Sequence, residues 1–208
     1  MKLLSIVVLT AAAALPLTAA AQVLSIGSET VTAGGTATVD LNISGLSAST
    51  ALGAYDINVG FNPGIVNFTA AAYGDPALGD QLNLEGFGQV TNTTPGTGTV
   101  DVFEVSLDSS SVLLASQAKS FTLATLTFNA LTAGVSALDL SLNAVSDQNG
   151  NALTPSLLNG SITVSAKTVA APEIGAAAAG ANLTLLLGVL AVMQSRRRPV
   201  PARVRLPG

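Results

Sequence analysis

The stretch Thr36-Ala-Thr-Val-Asp-Leu-Asn-Ile-Ser44, Gly45-Leu-Ser-Ala-Ser-Thr-Ala-Leu-Gly-Ala54, Tyr55-Asp-Ile-Asn-Val-Gly-Phe61 decides the fold. In its first arm Val39, Leu41 and Ile43 alternate with Thr38, Asp40, Asn42 and Ser44. In its second arm Tyr55, Ile57, Val59 and Phe61 alternate with Asp56, Asn58 and Gly60. Apolar residues two apart suit a strand with one dry and one wet face; a helix needs them three and four apart. The connection between the arms is rich in Gly, Ser and Thr. Two such arms begin a β-sandwich. Tyr55 and Phe61 fall in phase with Ile57 and Val59, which assigns both rings to the core rather than to a ligand.

Working outward, short strands recur at regular spacing. Val23 to Ile26 opens the domain, and Val31-Thr32 reads as a short edge piece before the turn Ala33-Gly34-Gly35. Asn62-Pro63-Gly64 is a turn signal, since Pro fixes φ and Gly accepts positive φ. Ile65 to Ala72 is a further strand. Gly74 to Gly98, rich in Gly, Asn, Thr, Asp and Pro, gives no clear element, although Leu82, Leu84, Phe87 and Val90 are available to pin it down. Thr99 to Leu107 is a strand in which Val100 and Val102 share one phase and Phe103, Val105 and Leu107 the other, the pattern of a β-bulge. Leu113 to Ala118 reads as a brief helix or loop. Phe121 to Ala130, Ala137 to Val145 and Ser161 to Ser165 complete the set. The expectation is an all-β chain with eight or nine short strands and no long helix, a sandwich or jelly roll.

Composition excludes several chemistries. The chain has no Cys and no His. Thiol catalysis, disulfides, thiolate metal sites and a Ser-His-Asp arrangement at Ser109-Ser110-Ser111 are therefore ruled out. Between Gln22 and Lys167 there are eleven acidic residues and two basic ones, a net charge of about −9. Such a domain does not suit nucleic acid, because phosphate neutralisation needs cations. It suits an extracellular setting, cation binding or a basic partner. Six Phe, two Tyr and no Trp leave few stacking platforms for sugars.

Two groups of polar residues stand out within the domain. Asp147, Asn149 and Asn151 place oxygen side chains at alternate positions around Gly150, a spacing used by Ca²⁺ loops. The later ligands of such a loop are missing, and Asn-Gly is equally a tight-turn signal. Both readings stand: a turn, or a Ca²⁺ site. Asp101 and Glu104 flank the expected bulge, with Asp108 after them. Paired carboxylates can hydrolyse glycosides, but outward-facing strand carboxylates on an acidic surface account for them more simply, and no catalytic residue is assigned.

The ends read as export and attachment devices. Met1-Lys2, an apolar run from Leu3 to Leu15, Pro16 and the small residues Ala19-Ala20-Ala21 make residues 1–21 a secretory signal peptide, read by signal peptidase at Ala19 and Ala21. The domain then runs over 22–166 and a linker over 167–174, with Pro172-Glu173 near its end. Residues 175–195 make an apolar helix long enough to span a bilayer, and a basic tail, 196–208, begins Arg196-Arg197-Arg198. The arginines hold that end in the cytoplasm, so the β domain lies on the far side of the inner membrane.

Two resemblances follow from these residues. Leu24-Ser-Ile-Gly-Ser with Val31 to Ser44, Gly53-Ala-Tyr-Asp-Ile-Asn-Val-Gly-Phe-Asn-Pro63, Leu123-Ala-Thr-Leu-Thr-Phe128, Asp147 to Leu153 and Asn159-Gly-Ser-Ile-Thr-Val164 together resemble the cohesin domain, in order and spacing, over nearly all of Val23 to Val164. The resemblance implies a nine-stranded jelly-roll sandwich, related to carbohydrate-binding modules and without enzymatic activity. It also implies recognition of an envelope or matrix protein or polysaccharide through a sheet face or loops; a purely structural matrix component is the alternative. Pro172 to Arg198 resembles the PEP-CTERM sorting signal of Gram-negative bacteria, with Ile174 where the usual motif has a second Pro. That resemblance implies an exosortase as partner and passage to the cell surface or extracellular matrix, where a plain single-span anchor would keep the chain in the inner membrane.

Overall fold

The computed structural model describes residues 21–168. Ala19, the linker motif Pro172-Glu173, the apolar segment 175–195 and the arginines 196–198 lie outside the described residues.

The described residues form eleven strand segments in two sheets. The segments are β1 (Val23–Ile26), β2 (Ser28–Thr32), β3 (Thr36–Ser44), β4 (Leu52–Gly60), β5 (Val66–Tyr73), β6 (Gln89–Gly96), β7 (Thr99–Ser106), β8 (Phe121–Ala130), β9 (Gly134–Asp147), β10 (Ser156–Leu158) and β11 (Gly160–Ser165), with one short helix, α1 (Ser110–Ser116). One sheet has the order β10-β1-β3-β8-β5 and the other β2-β11-β9-β4-β7-β6. The two segments beyond the nine read from the sequence are β6 and β10, and the first and last strands each change sheet part-way. Gly27 separates β1 from β2, and Asn159 separates β10 from β11. Both halves pair in parallel, β1 with β10 and β2 with β11. The first and last strands of the domain therefore lie side by side, a non-local pairing that ties the two sheets together.

Between the sheets lies one core. Val39, Leu41 and Ile43 from β3 meet Tyr55, Ile57 and Val59 from β4, with Leu126 and Phe128 from β8 and Leu138 and Leu140 from β9. Side chains of this size stabilise a fold by about 1.5–3 kcal/mol each when fully buried. Tyr55 is 1% exposed, as its phase requires. Phe61 is half-buried and packs edge-on against Phe128, with ring centroids 5.4 Å apart.

Two expectations are corrected. The bulge does not lie in Thr99–Ser106, since β7 pairs with β4 and β6 without a register shift. The extra residues are Gly53 in β4, Thr69 in β5, Leu123 in β8 and Asn143 in β9, each sitting where the pairing jumps. The segment without a clear element holds a full strand, β6, joined to β7 through Thr97 and Gly98, whose φ of +74° belongs to glycine. Of the residues available to pin that segment, Leu82 is buried but Phe87 and Val90 are 69% and 51% exposed. Half-buried side-chain bonds hold the loop 74–88 in place instead. Asp75 Oδ2 accepts from Thr122 N–H (2.9 Å), Gln81 Oε1 accepts from Ala118 N–H (2.9 Å), and Asp108 accepts from the Leu84 N–H.

Candidate binding face and buried acid

The outer surface of β9-β4-β7-β6 carries Asp56 and Asn58 on β4, Asp101, Phe103 and Val105 on β7, and Asp139, Ser141 and Asn143 on β9. Asp56 stands opposite Phe103, and Asn58 lies between Asp101 and Ser141. Asn143 follows Asp139 and Ser141 in alternation onto this surface, and the bulge there brings Ala144, opposite Asp56, to the same side. Its Nδ2 donates to Asp56 Oδ1 (2.7 Å) and Asp101 Oδ2 (3.1 Å), and its Oδ1 accepts from Asn58 Nδ2 (3.0 Å). Partial burial, and then the neighbouring Asp56 carboxylate, push the Asp101 carboxyl above its usual range, against the lowering effect of the Asn143 bond. Lys119 and Lys167 are the only basic residues described, and neither lies on these strands. Beside this polar centre is an apolar end. Val90 faces Val105 across the β6–β7 pair, Leu107 follows β7 at 55% exposure, and Phe87 precedes β6 at 69%.

Glu104, expected to point outward, points inward. With no bulge, β7 keeps the phase of Val100 and Val102, and Glu104 is 0% exposed. Its Oε2 accepts a bond from the Tyr55 hydroxyl (2.8 Å), which also lies 3.3 Å from the Leu123 carbonyl oxygen. Its Oε1 is buried and has no hydrogen-bond partner. Burial pushes its carboxyl up to about 8; the Tyr55 bond opposes this and the Asp80 carboxylate adds to it. Burial and the Glu104 charge likewise raise the Tyr55 phenol.

The profile of the cohesin domain matches residues 23–164 of this sequence. The chain belongs to the cohesin-domain family. Cohesin domains are non-catalytic protein-binding modules, and the chain is not an enzyme. Among solved structures, the cohesin CaCohA2 of Clostridium acetobutylicum is similar at 24% identity and a TM-score of 0.54, over 74% of this chain and 94% of that one. A non-cellulosomal cohesin of the archaeon Archaeoglobus fulgidus is similar at 14% and 0.53, over 70% and 92%. The Coh-OlpA–Doc918 type I cohesin–dockerin complex of Clostridium thermocellum is similar at 14% and 0.56, over 70% and 99%. At these identities the likeness is one of fold. No curated protein matches the chain.

In this cohesin domain the other residues singled out in the sequence have structural partners. Asp147 Oδ1 accepts from the N–H groups of Asn149 (2.8 Å) and Asn151 (2.9 Å), and its Oδ2 from Asn151 Nδ2 (2.9 Å). Burial raises this carboxyl, but the Asn151 and Asn149 bonds outweigh it and hold it below the ordinary carboxylate range. As placed, Asn151 turns its amide nitrogen toward Asp147. Among the described residues no group of three or more acidic side chains gathers to hold a metal. Ser109 stands at the N-cap position of α1 with its Oγ 3.2 Å from Ser111 Oγ and no side-chain capping bond, and Ser110 Oγ donates to the Gln148 carbonyl (2.6 Å). The cleft between α1 and the Asp147 turn holds about 180 Å³, below the roughly 300 Å³ at which small-molecule pockets begin. Sequence reasoning missed Asn143 and Gln117. Gln117 is 3% exposed; its Nε2 donates to the carbonyls of Leu52 (2.9 Å) and Gln81 (3.0 Å), and its Oε1 accepts from Leu52 N–H (2.6 Å).

Proposed function

We propose that this chain is an exported cohesin module that binds a protein partner through the outer face of β9-β4-β7-β6. The observation that carries the reading is the make-up of that face. An apolar end at Phe87, Val90, Val105 and Leu107 adjoins a cation-free carboxylate centre at Asp56 and Asp101, bridged by Asn143. Protein interfaces place apolar anchors beside charged groups that choose the partner. Uncompensated carboxylates favour a partner that brings Lys or Arg. Half-buried Phe103 is the one ring on the outward face of these strands, too little to stack a sugar chain. The solved cohesin–dockerin complex of similar fold supports a partner of the dockerin class.

Residues 1–21 supply export. Residues 172–198 supply either sorting by an exosortase to the surface or matrix, or a permanent inner-membrane anchor with the domain on the periplasmic side. Mass spectrometry of the mature chain reads both termini directly. A C-terminus near Pro172 means sorting; an intact Arg196–Arg198 tail means an anchor.

The binding test uses the full chain in mild detergent against dockerins and the envelope proteins of the same cell. A saturable partner should weaken about tenfold with Asp56→Asn plus Asp101→Asn, and more with Leu107→Glu. Unchanged affinity in both variants moves the site off this face. No saturable partner at all leaves a structural matrix component.

A further inference from the structure

The two ends of the sandwich differ in charge. One end is built from the loops 33–35, 61–65 and 131–133, and the chain leaves the domain there. The Ser165 carbonyl, at the end of β11, accepts from the Ala33 N–H (2.9 Å). The loops are tied to this end of the sheets: Gly34 N–H donates to the Ala130 carbonyl (2.8 Å) and Leu131 N–H to the Ile65 carbonyl (2.8 Å). None of the eleven acidic residues between Gln22 and Lys167 lies in these loops. Glu29, three residues before the end of β2, is engaged by the Thr38 N–H, and Asp139, four residues beyond Val135 on β9, by Asn159 Nδ2 (2.9 Å). Leu131 and Val135 are 50% and 60% exposed. Ile65 packs on Gly134 in the turn between them, where a Cβ would meet Ile65 Cδ1 at 3.0 Å. The opposite end also exposes large apolar side chains, Leu78 and Phe87. Their loop, 74–88, carries Asp75, Asp80 and Glu85, and Asp108 is bonded to it. An anionic surface repels that end and admits the first.

From the acid-free end the chain continues into residues 168–174, which reach at most about 25 Å when fully extended. Segment 175–195, read from the sequence as a bilayer span, comes next. We propose that this end of the domain rests on the outer surface of the inner membrane. Leu131 and Val135 enter the headgroup layer, and exposed Lys167, two residues after β11, lies beside lipid phosphate. Two half-exposed apolar side chains hold a free domain to lipid only weakly. A short tether makes the contact intramolecular, and weak contacts then suffice. So held, the domain keeps the Phe87 and Leu107 end of the β6–β7 pair on the side away from the lipid. The inference rests on the anchored form proposed above and not on the partner face.

The chain has no Cys, so a Cys introduced at one position carries the only fluorescent label. The chain, exported and purified with its tail, is placed in vesicles of phosphatidylethanolamine and phosphatidylglycerol that contain a lipid with a nitroxide near its headgroup. A label at Ala133→Cys should be blue-shifted and quenched several-fold more than one at Ala48→Cys, in the exposed loop at the opposite end. Adding Leu131→Glu and Val135→Glu should remove most of the quenching at Ala133→Cys. Both side chains are exposed, so the unfolding temperature should stay close to that of the wild type. Equal quenching at the two labels overturns the docking, and that comparison needs no apolar variant to fold. Quenching that the double variant leaves intact overturns it as well, because a tether alone then accounts for it. A blue-shifted label that the lipid does not quench means that a second copy covers this end, and also overturns the lipid contact. A chain that does not float with the vesicles overturns the anchored form itself, so the two failures are told apart.

Discussion

Gly160 lies against the carbonyl of Gly27. A Cβ at residue 160 would stand 2.0 Å from that oxygen and 2.6 Å from the carbonyl oxygen of Ile26. This is the level at which the first and last strands both leave one sheet for the other. The contact is backbone on backbone, so no side chain can swing away to relieve it. Gly160→Ala should therefore cost on the order of 3 kcal/mol or prevent folding. Gly60→Ala, whose Cβ would meet its neighbours at 3.6 Å or more, should stay within about 0.5 kcal/mol. Denaturant unfolding of the two variants makes the comparison.

Glu104 should make the domain less stable as pH rises. Its folded-state carboxyl is raised from 4.5 to about 8, so the native state binds the proton more tightly than the unfolded chain does. The stabilisation is fully present below pH 4.5, declines as pH climbs to about 8, and is flat above. The total loss is on the order of a few kcal/mol. Glu104→Gln keeps an acceptor for the Tyr55 hydroxyl, and should flatten this profile while raising stability at pH 8. A variant whose unfolding midpoint falls with pH as steeply as wild type would show that another group is responsible.

Removing the Tyr55 hydroxyl leaves Glu104 Oε2 without its donor in a site closed to water. Tyr55→Phe should cost about 1–3 kcal/mol at neutral pH. It should also push the Glu104 carboxyl higher, since the bond it removes is the one that lowers it. Thermal unfolding and the carboxyl titration check the two halves separately.

Gln117 joins the end of α1 to β4 and to the loop 74–88 through three buried bonds. Gln117→Leu keeps the volume but strands the N–H and C=O of Leu52 away from water. A loss of about 2–4 kcal/mol is expected. Equilibrium unfolding in urea reads this directly; an unchanged midpoint would mean that water reaches those groups.

The Asp147 turn should behave as a turn. Its carboxylate oxygens already accept from Asn149 and Asn151. Asp147→Ala should cost about 1–2 kcal/mol, and a chelator should leave the unfolding temperature of the wild type unchanged. A fall in that temperature on chelation, reversed by added Ca²⁺, would assign the loop to the metal.

Glu104 and its strand show where reading the sequence failed. Phe103, Val105 and Leu107 are apolar, so a rule that turns apolar residues inward demands a phase change after Val102. The chain instead keeps its phase, buries a glutamate whose Oε2 meets the Tyr55 hydroxyl, and leaves the apolar residues on the outer surface. The true bulges, at Gly53, Thr69, Leu123 and Asn143, appear only in the pairing register. β6 escapes reading from the sequence because its Val-Thr-Asn-Thr-Thr run is mostly exposed on an edge and has little apolar alternation to show.

What the sequence determined by itself is the sandwich and its family. The alternation of Val39, Leu41 and Ile43 against that of Tyr55, Ile57 and Val59 is a local property, set by which side chains seek water, and it survives without knowledge of any partner strand. Only the tertiary structure decided the parallel pairing of the first and last strands, the carboxylate bridge at Asn143 and the inward turn of Glu104. Each depends on residues far apart in the chain meeting at one register, and single-strand periodicity does not encode that register.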